Sequence, residues 1–294
     1  MHFSGTVWRP PYEAWSVLIQ VTMGCTHHKC KFCTLYDDLP FKFRMSPVSE
    51  VEEDLKEASC HMPQARRIFL VGANPFALST EKLACISALS KQYFQRLDSI
   101  GCFARVTDIT AKSDRELKQL RVCGYNRITI GVETGDDTAL KFMNKGYASH
   151  DIVKQLKRLD DIGIEYNIFY LAGISGKGNG QTGAKLSAKI FNILNPKIIG
   201  CSMLTIYPNS ELNKEIEAGN WQEESETEKI TELKTLIEFL TIKTHFAALG
   251  ASNIVNIQGS LPSEKNMLIN ELNKILNTFS EDEMKFYRDN LPHL

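Results

Sequence analysis

Residues 16–33 read Ser16-Val-Leu-Ile-Gln-Val-Thr22-Met-Gly-Cys25-Thr-His-His-Lys-Cys30-Lys-Phe32-Cys33. The first seven are rich in β-branched and apolar side chains, the composition of a buried strand. The rest is a short loop that carries three cysteines within nine residues. A loop of this length can wrap three thiolates around one metal group. A [4Fe–4S] cluster is normally held by four cysteines, so three leave one iron open to a further ligand. Zinc is the alternative, with His27 or His28 as a fourth ligand. Zinc fingers and ribbons, however, pair two ligand couples at a characteristic spacing, and no second couple follows here. The cluster is the preferred reading, with zinc or unrelated thiols as the alternatives and His27 and His28 as exposed loop residues.

Outward from this stretch, strand-like runs alternate with helical patterns. Strands are expected at 16–22, 66–71, 100–105, 126–132, 164–171 and 197–206, and helices at 47–60, 80–96, 113–122, 149–162 and 183–194. Ser79, Ser113 with Glu116, and Ser149 supply helix start signals. Gly101, Gly124 and Gly163 fall between a helix and the next strand, where a left-handed helix end is expected. Strand–helix alternation implies right-handed crossovers and a parallel sheet. Six units are two short of a closed eightfold barrel. The expected fold class is therefore α/β, a partial (β/α)6 TIM-like barrel with a helical C-terminal extension. The barrel is assigned to residues 1–212. The extension, 213–294, is expected to cover it, with helices at 210–218, 226–248, 263–278 and 281–290 around a polar stretch at 250–262.

The 294 residues are 43% hydrophobic and 23% charged, the balance of a globular protein. A net charge of −1 gives no general attraction to phosphate backbones, which favours a small-molecule substrate over nucleic acid. No apolar run reaches the roughly 18–20 residues that span a bilayer, and the N-terminus lacks a signal-peptide core. A cytoplasmic protein with no membrane contact is expected. The other five cysteines lie among apolar residues and read as small buried hydrophobes.

The cysteine loop, with the aromatic Phe32 just before its last cysteine, resembles the radical S-adenosylmethionine (SAM) superfamily. It departs from the commonest Cys-x3-Cys-x2-Cys signature by one extra residue between the first two cysteines. The resemblance extends to the strand ends, where a barrel gathers its site. Gly72-Ala73-Asn74 resembles the region that grips the methionine amino group, and Arg105 ends the third strand. The resemblance to oxygen-independent coproporphyrinogen oxidase rests on the barrel only, while Gly131-Val132-Glu133-Thr134-Gly135 is similar to the branch of the tRNA methylthiotransferases and the Elongator catalytic subunit. There Glu133 would meet the SAM ribose and Lys145 the SAM carboxylate, with Arg105 as a competitor for that role. Leu171-Ala172-Gly173 and the stretch from Met203 through Thr205 to Leu212 resemble the branch's fifth and sixth strand ends, near adenine.

The resemblance implies two cofactors, a [4Fe–4S] cluster on Cys25, Cys30 and Cys33 and SAM on Phe32, Gly72, Ala73, Asn74, Arg105, Glu133, Lys145, Ala172 and Thr205. It implies flavodoxin or ferredoxin as electron donor. The activity expected is reductive cleavage of SAM to a 5′-deoxyadenosyl radical and hydrogen abstraction from a small polar substrate. His245, Asn253 and Asn256 are the candidate substrate contacts, and the tail and the Gly173–Gly183 loop are candidate lids. The alternative is a non-catalytic iron–sulfur or haem-binding chaperone or sensor on the same barrel. The glycine-rich loop does not supply a phosphate-loop pattern, which needs Gly-Lys-Ser/Thr opening a helix.

Overall fold

The structure is a computed structural model and describes residues 1–291. Strands are β1 (Val17–Gln20), β2 (Thr22–Gly24), β3 (Phe43–Met45), β4 (Arg67–Val71), β5 (Ser99–Ala104), β6 (Ile128–Glu133), β7 (Tyr166–Ala172), β8 (Ile198–Met203), β9 (Thr244–Ala248) and β10 (Ile257–Leu261). The helices are α1 (Val48–His61), α2 (Thr80–Tyr93), α3 (Val106–Thr110), α4 (Asp114–Cys123), α5 (Asp137–Phe142), α6 (Ser149–Ile162), α7 (Gly180–Phe191), α8 (Glu211–Glu217), α9 (Glu226–Phe239), α10 (Lys265–Thr278) and α11 (Glu281–Asp289). The main sheet runs β1-β4-β5-β6-β7-β8-β9-β10. It is mostly parallel, with β10 antiparallel to β9. The six expected strand–helix units are all present. Among the described residues no helix is long and apolar enough to cross a membrane.

The tail differs from expectation in two places. Residues 240–248, read as the end of a long helix, leave α9 at Leu240 and form β9, which joins β8 in parallel. The polar stretch at 250–262 likewise contains β10. In Thr244-His-Phe-Ala-Ala248, Thr244 and residues 246–248 are buried. A fully buried strand and a buried helix share an apolar run, and periodicity alone does not separate them.

The chain forms two compact units. The first comprises residues 1–28, 35–131 and 155–166. Phe69 and Phe103 meet edge to face at 5.1 Å in its core. Arg67 there pairs with buried Glu13 at 2.6 Å and donates to Ser99 Oγ at 2.9 Å. Ser79 caps α2, and Ser113 with Glu116 forms the capping box of α4.

The second unit comprises residues 29–34, 132–154 and 167–294. Helices α7 and α9 belong to it, and Tyr170 of β7 packs edge to face on Phe191 of α7 at 6.3 Å. A separate apolar cluster of Met143, Leu171, Ile174, Leu204 and Leu212 takes in Phe32, Phe142, Ile206 and Trp221.

Candidate cofactor site

In the first unit the ends of β2, β4 and β5 carry Cys25, Gly72-Ala73-Asn74 and Arg105. Cys25 is a free, half-buried thiol. Gly72 has φ +126°, and a Cβ there would lie 2.1 Å from Thr22 Oγ1. Glycine is required at this position by the close approach of two strand ends. Thr22 Oγ1 itself is buried without a protein partner. Ala73 is half-buried beside it.

Asn74 is fully buried. Its amide oxygen accepts from Thr26 N at 3.3 Å, and its amide nitrogen donates to Thr26 Oγ1 at 2.7 Å. The same nitrogen donates to both Asp108 oxygens at 3.1 and 3.0 Å. Asp108 also accepts from Arg105 N at 2.8 Å, capping α3. Burial raises the Asp108 pKa, opposed by these bonds and by the Arg105 charge. Both ends of the Asn74 amide are thus engaged within the protein, and its effect is to hold the residue after Cys25. The Arg105 guanidinium is buried and donates to Thr107 Oγ1 at 3.0 Å.

The second unit holds the rest of the loop. Cys30 and Cys33 are half-buried and outside any disulfide, and Cys33 N donates to Cys30 O at 3.1 Å. Lys31 N donates to Met143 O at 3.2 Å and Leu212 N to Lys31 O at 2.8 Å. The Lys31 ammonium pairs with Glu215 and lies 4.3 Å from the Phe142 ring centroid. Phe32 packs against the apolar cluster. The loop is pinned here by side chains from α5, its following turn and α8.

Glu133 and Lys145 form a buried ion pair at 3.0 Å in this unit, with relative exposures of 8% and 4%. Glu133 has φ +67°, a left-handed conformation that strains a residue with a Cβ. The strain coincides with the end of β6, where the chain must turn. Ser187 Oγ then receives Gly135 N at 2.7 Å and lies 3.2 Å from Thr134 Oγ1. A Cβ on Gly135 would meet Ser187 Cα at 2.7 Å, so this glycine serves the packing of α7. The Lys145 ammonium lies 5.6 Å from the ring centroids of both Phe32 and Tyr147.

At the next strand ends, buried Ala172 accepts from Leu204 N at 2.9 Å. Thr205 Oγ1 accepts from Arg288 at 3.5 Å. Arg288 is buried, donates to Leu204 O, to Ser252 O at 3.0 Å, and pairs with Glu226 at 3.3 Å. Half-buried Tyr207 has its pKa raised by burial and the nearby Cys33, opposed by Arg288. Sequence reasoning missed Arg288, Tyr207 and Ser187. Arg288 sits in a charged helix with no motif to mark it.

The three candidate substrate contacts part company. Asn253 is buried and its amide is engaged within the protein. The amide accepts from Met203 N at 2.7 Å and donates to Cys201 O at 3.0 Å, at the C-terminal end of β8. His245 is half-buried and faces Gln258 at 3.4 Å, and Asn256 is exposed.

The donor types suit an iron–sulfur cluster, since Cys25, Cys30 and Cys33 supply three soft thiolates within nine residues of the sequence. Among the described residues no three His, Cys, Asp or Glu side chains already form a metal-holding group.

Comparison with known proteins agrees with this fold. The haem chaperone HemW of Bacillus subtilis (strain 168) is 26% identical over 144 residues, 47% of this chain and 37% of that protein. The chain thus spans well under half the length of the curated relative it matches. The fold resembles coproporphyrinogen III oxidase (HemN) of Escherichia coli, a radical SAM enzyme, with TM-score 0.57, 18% identity and coverage of 77% and 52% of the two chains. It also resembles Elp3 of the archaeon Methanocaldococcus infernus, with TM-score 0.56, 13% identity and coverage of 88% and 63%. The family's cofactors are a [4Fe–4S] cluster and SAM. The model of the radical SAM superfamily matches residues 19–178, more than half of the sequence, and the chain belongs to that superfamily.

Proposed function

We propose that this chain is a radical SAM enzyme acting on a small polar substrate. Cys25, Cys30 and Cys33 hold the cluster through three thiolates, and SAM takes the open iron. When bound, this pair supplies an electron to the sulfonium C5′–S bond and a 5′-deoxyadenosyl radical for hydrogen abstraction, with flavodoxin or ferredoxin as donor. The observation that carries the reading is the buried Glu133–Lys145 pair beside Phe32. Burying two charges is costly unless they are well paired, and this pair offers a cation to the SAM carboxylate and an acceptor to its ribose hydroxyls. Arg105 supplies a second cation in the first unit. The cofactor carries the hard chemistry, so the residues bind, orient and exclude water.

A second reading is favoured by one observation, the similarity to a haem chaperone. On that reading the chain binds haem and does not turn over SAM. Anaerobic incubation of reconstituted protein with SAM and dithionite, alongside a haem titration, separates the two. The enzyme reading expects 5′-deoxyadenosine and methionine in equal amounts. A stoichiometric haem absorption band with no SAM cleavage would establish the chaperone instead.

A further inference from the structure

In the second unit, buried polar side chains of the C-terminal helices converge on two neighbouring strand ends. Strands β7 and β8 run side by side, with Ala172 opposite Met203. On the β7 side, Glu232 of α9 is fully buried and accepts from Tyr170 OH and from Gly173 N at 2.6 Å. Lys229, three residues earlier on the same helix, is also fully buried. Its aliphatic stem lies where Gly173 has no side chain, since a Cβ there would come within 3.2 Å of Lys229 Cε. Its ammonium pairs with Glu223 and Glu226, each at 2.7 Å. On the β8 side, Glu226 pairs with Arg288 of α11 at 3.3 Å. Arg288 donates to Leu204 O and, at 3.5 Å, to Thr205 Oγ1. Leu204 N in turn donates to Ala172 O at 2.9 Å, joining the two strand ends.

Stability alone does not call for this arrangement. A buried ion pair gains little over apolar side chains of the same volume, because desolvating each charge is costly. Apolar contacts would hold α9 and α11 to the sheet without orienting any backbone group. Hydrogen bonds are directional, and here they reach chosen backbone atoms. A buried carboxyl takes Gly173 N, and one planar guanidinium takes both Leu204 O and Ser252 O. Gly173 has φ +90°, a conformation that a side chain would strain. The backbone fixed in this way adjoins Ala172 on one strand and Thr205 on the other.

We propose that Glu232 and Arg288 are positioning residues for SAM: from the C-terminal helices they hold Gly173 and Leu204, and so set Ala172 and Thr205 for the cofactor. The proposal rests on the reading of this chain as a SAM-binding protein and of those two residues as SAM contacts. It gives α9 and α11 a part in cofactor binding that acts through the strand ends.

The test uses the full chain, reconstituted anaerobically with its cluster, and follows the paramagnetic resonance signal of the reduced cluster as SAM is added. Glu232→Gln keeps the side-chain shape but removes one acceptor. Arg288→Lys keeps a cation beside Glu226 but loses the fork that reaches several acceptors. Both variants are expected to retain wild-type iron content and the wild-type signal before SAM is added, and to need roughly tenfold more SAM to shift it. Ile237→Val, at a fully buried apolar position of α9, should lower Tm and leave SAM affinity unchanged. Wild-type affinity in both polar variants, an equal loss of affinity in Ile237→Val, or loss of the cluster together with SAM would each overturn the proposal. A wild-type signal indifferent to SAM would overturn the underlying reading, and this proposal with it.

Discussion

The two ends of the cysteine loop are fastened by different physics. At its start, Thr26 is held by one buried side-chain amide, Asn74, which Asp108 holds in turn. At its end, Lys31 and Phe32 are held by apolar packing, two backbone bonds and a part-buried ion pair with Glu215. A hydrogen-bond network is directional and fails when one member is removed. Apolar packing is diffuse and tolerates substitutions that conserve volume. The start of the loop should therefore be the brittle end and the finish the forgiving one.

The largest effect expected probes the charges beside the forgiving end. Lys145→Met leaves Glu133 buried without its partner and should cost about 3–5 kcal/mol of stability, read from denaturant midpoints. Adding Glu133→Gln to the same chain should recover much of the loss while SAM affinity stays abolished. If the single variant is as stable as wild type, the pair is not buried as described.

The brittle end is tested next. Asn74→Ala removes the bonds to Thr26 and deprives Asp108 of one of its partners, for about 1–3 kcal/mol. It should also alter the spectrum of the bound cluster, because Thr26 follows Cys25 directly. Phe32→Leu, which largely keeps the packing, should leave that spectrum unchanged. Equal spectral changes in the two variants would erase the distinction.

A pH profile probes the acidic pair of the second unit. Burial raises the pKa of both Glu224 and Glu232 above the ordinary value of 4.5. Between that value and their raised folded values the folded chain binds more protons than the unfolded one. Their contribution is full below about pH 4.5 and declines as pH rises. Tm should therefore fall with rising pH, and Glu224→Gln should flatten the slope.

The smallest effect separates two asparagines that look alike in sequence. Asn253→Ala should cost about 1–3 kcal/mol through its lost bonds to β8. Asn256→Ala, at an exposed position, should stay within about 0.5 kcal/mol.

Much of this architecture is legible in the sequence. The six strand–helix units, the caps at Ser79 and Ser113 and the cysteine loop follow from local periodicity and side-chain chemistry. A short motif singles out Glu133 and Lys145 in the sequence, and the structure pairs the two. What is not legible depends on contacts distant in sequence. Asn253 reads as a polar loop residue until β8 is beside it. Arg288 reads as a surface charge until its helix inserts it at Leu204 and Thr205. Residues 240–248 read as helix because burial on both faces removes the alternation that marks a strand.

The central claim is that three cysteines hold a cluster with one iron left open to SAM. It is tested most directly by electron paramagnetic resonance of the anaerobically reconstituted, dithionite-reduced chain, with and without SAM. The account predicts about four irons per chain, a reduced-cluster signal that shifts when SAM is added, and loss of both iron and signal in Cys30→Ala. Stoichiometric zinc in place of iron, or a cluster signal indifferent to SAM, would contradict it.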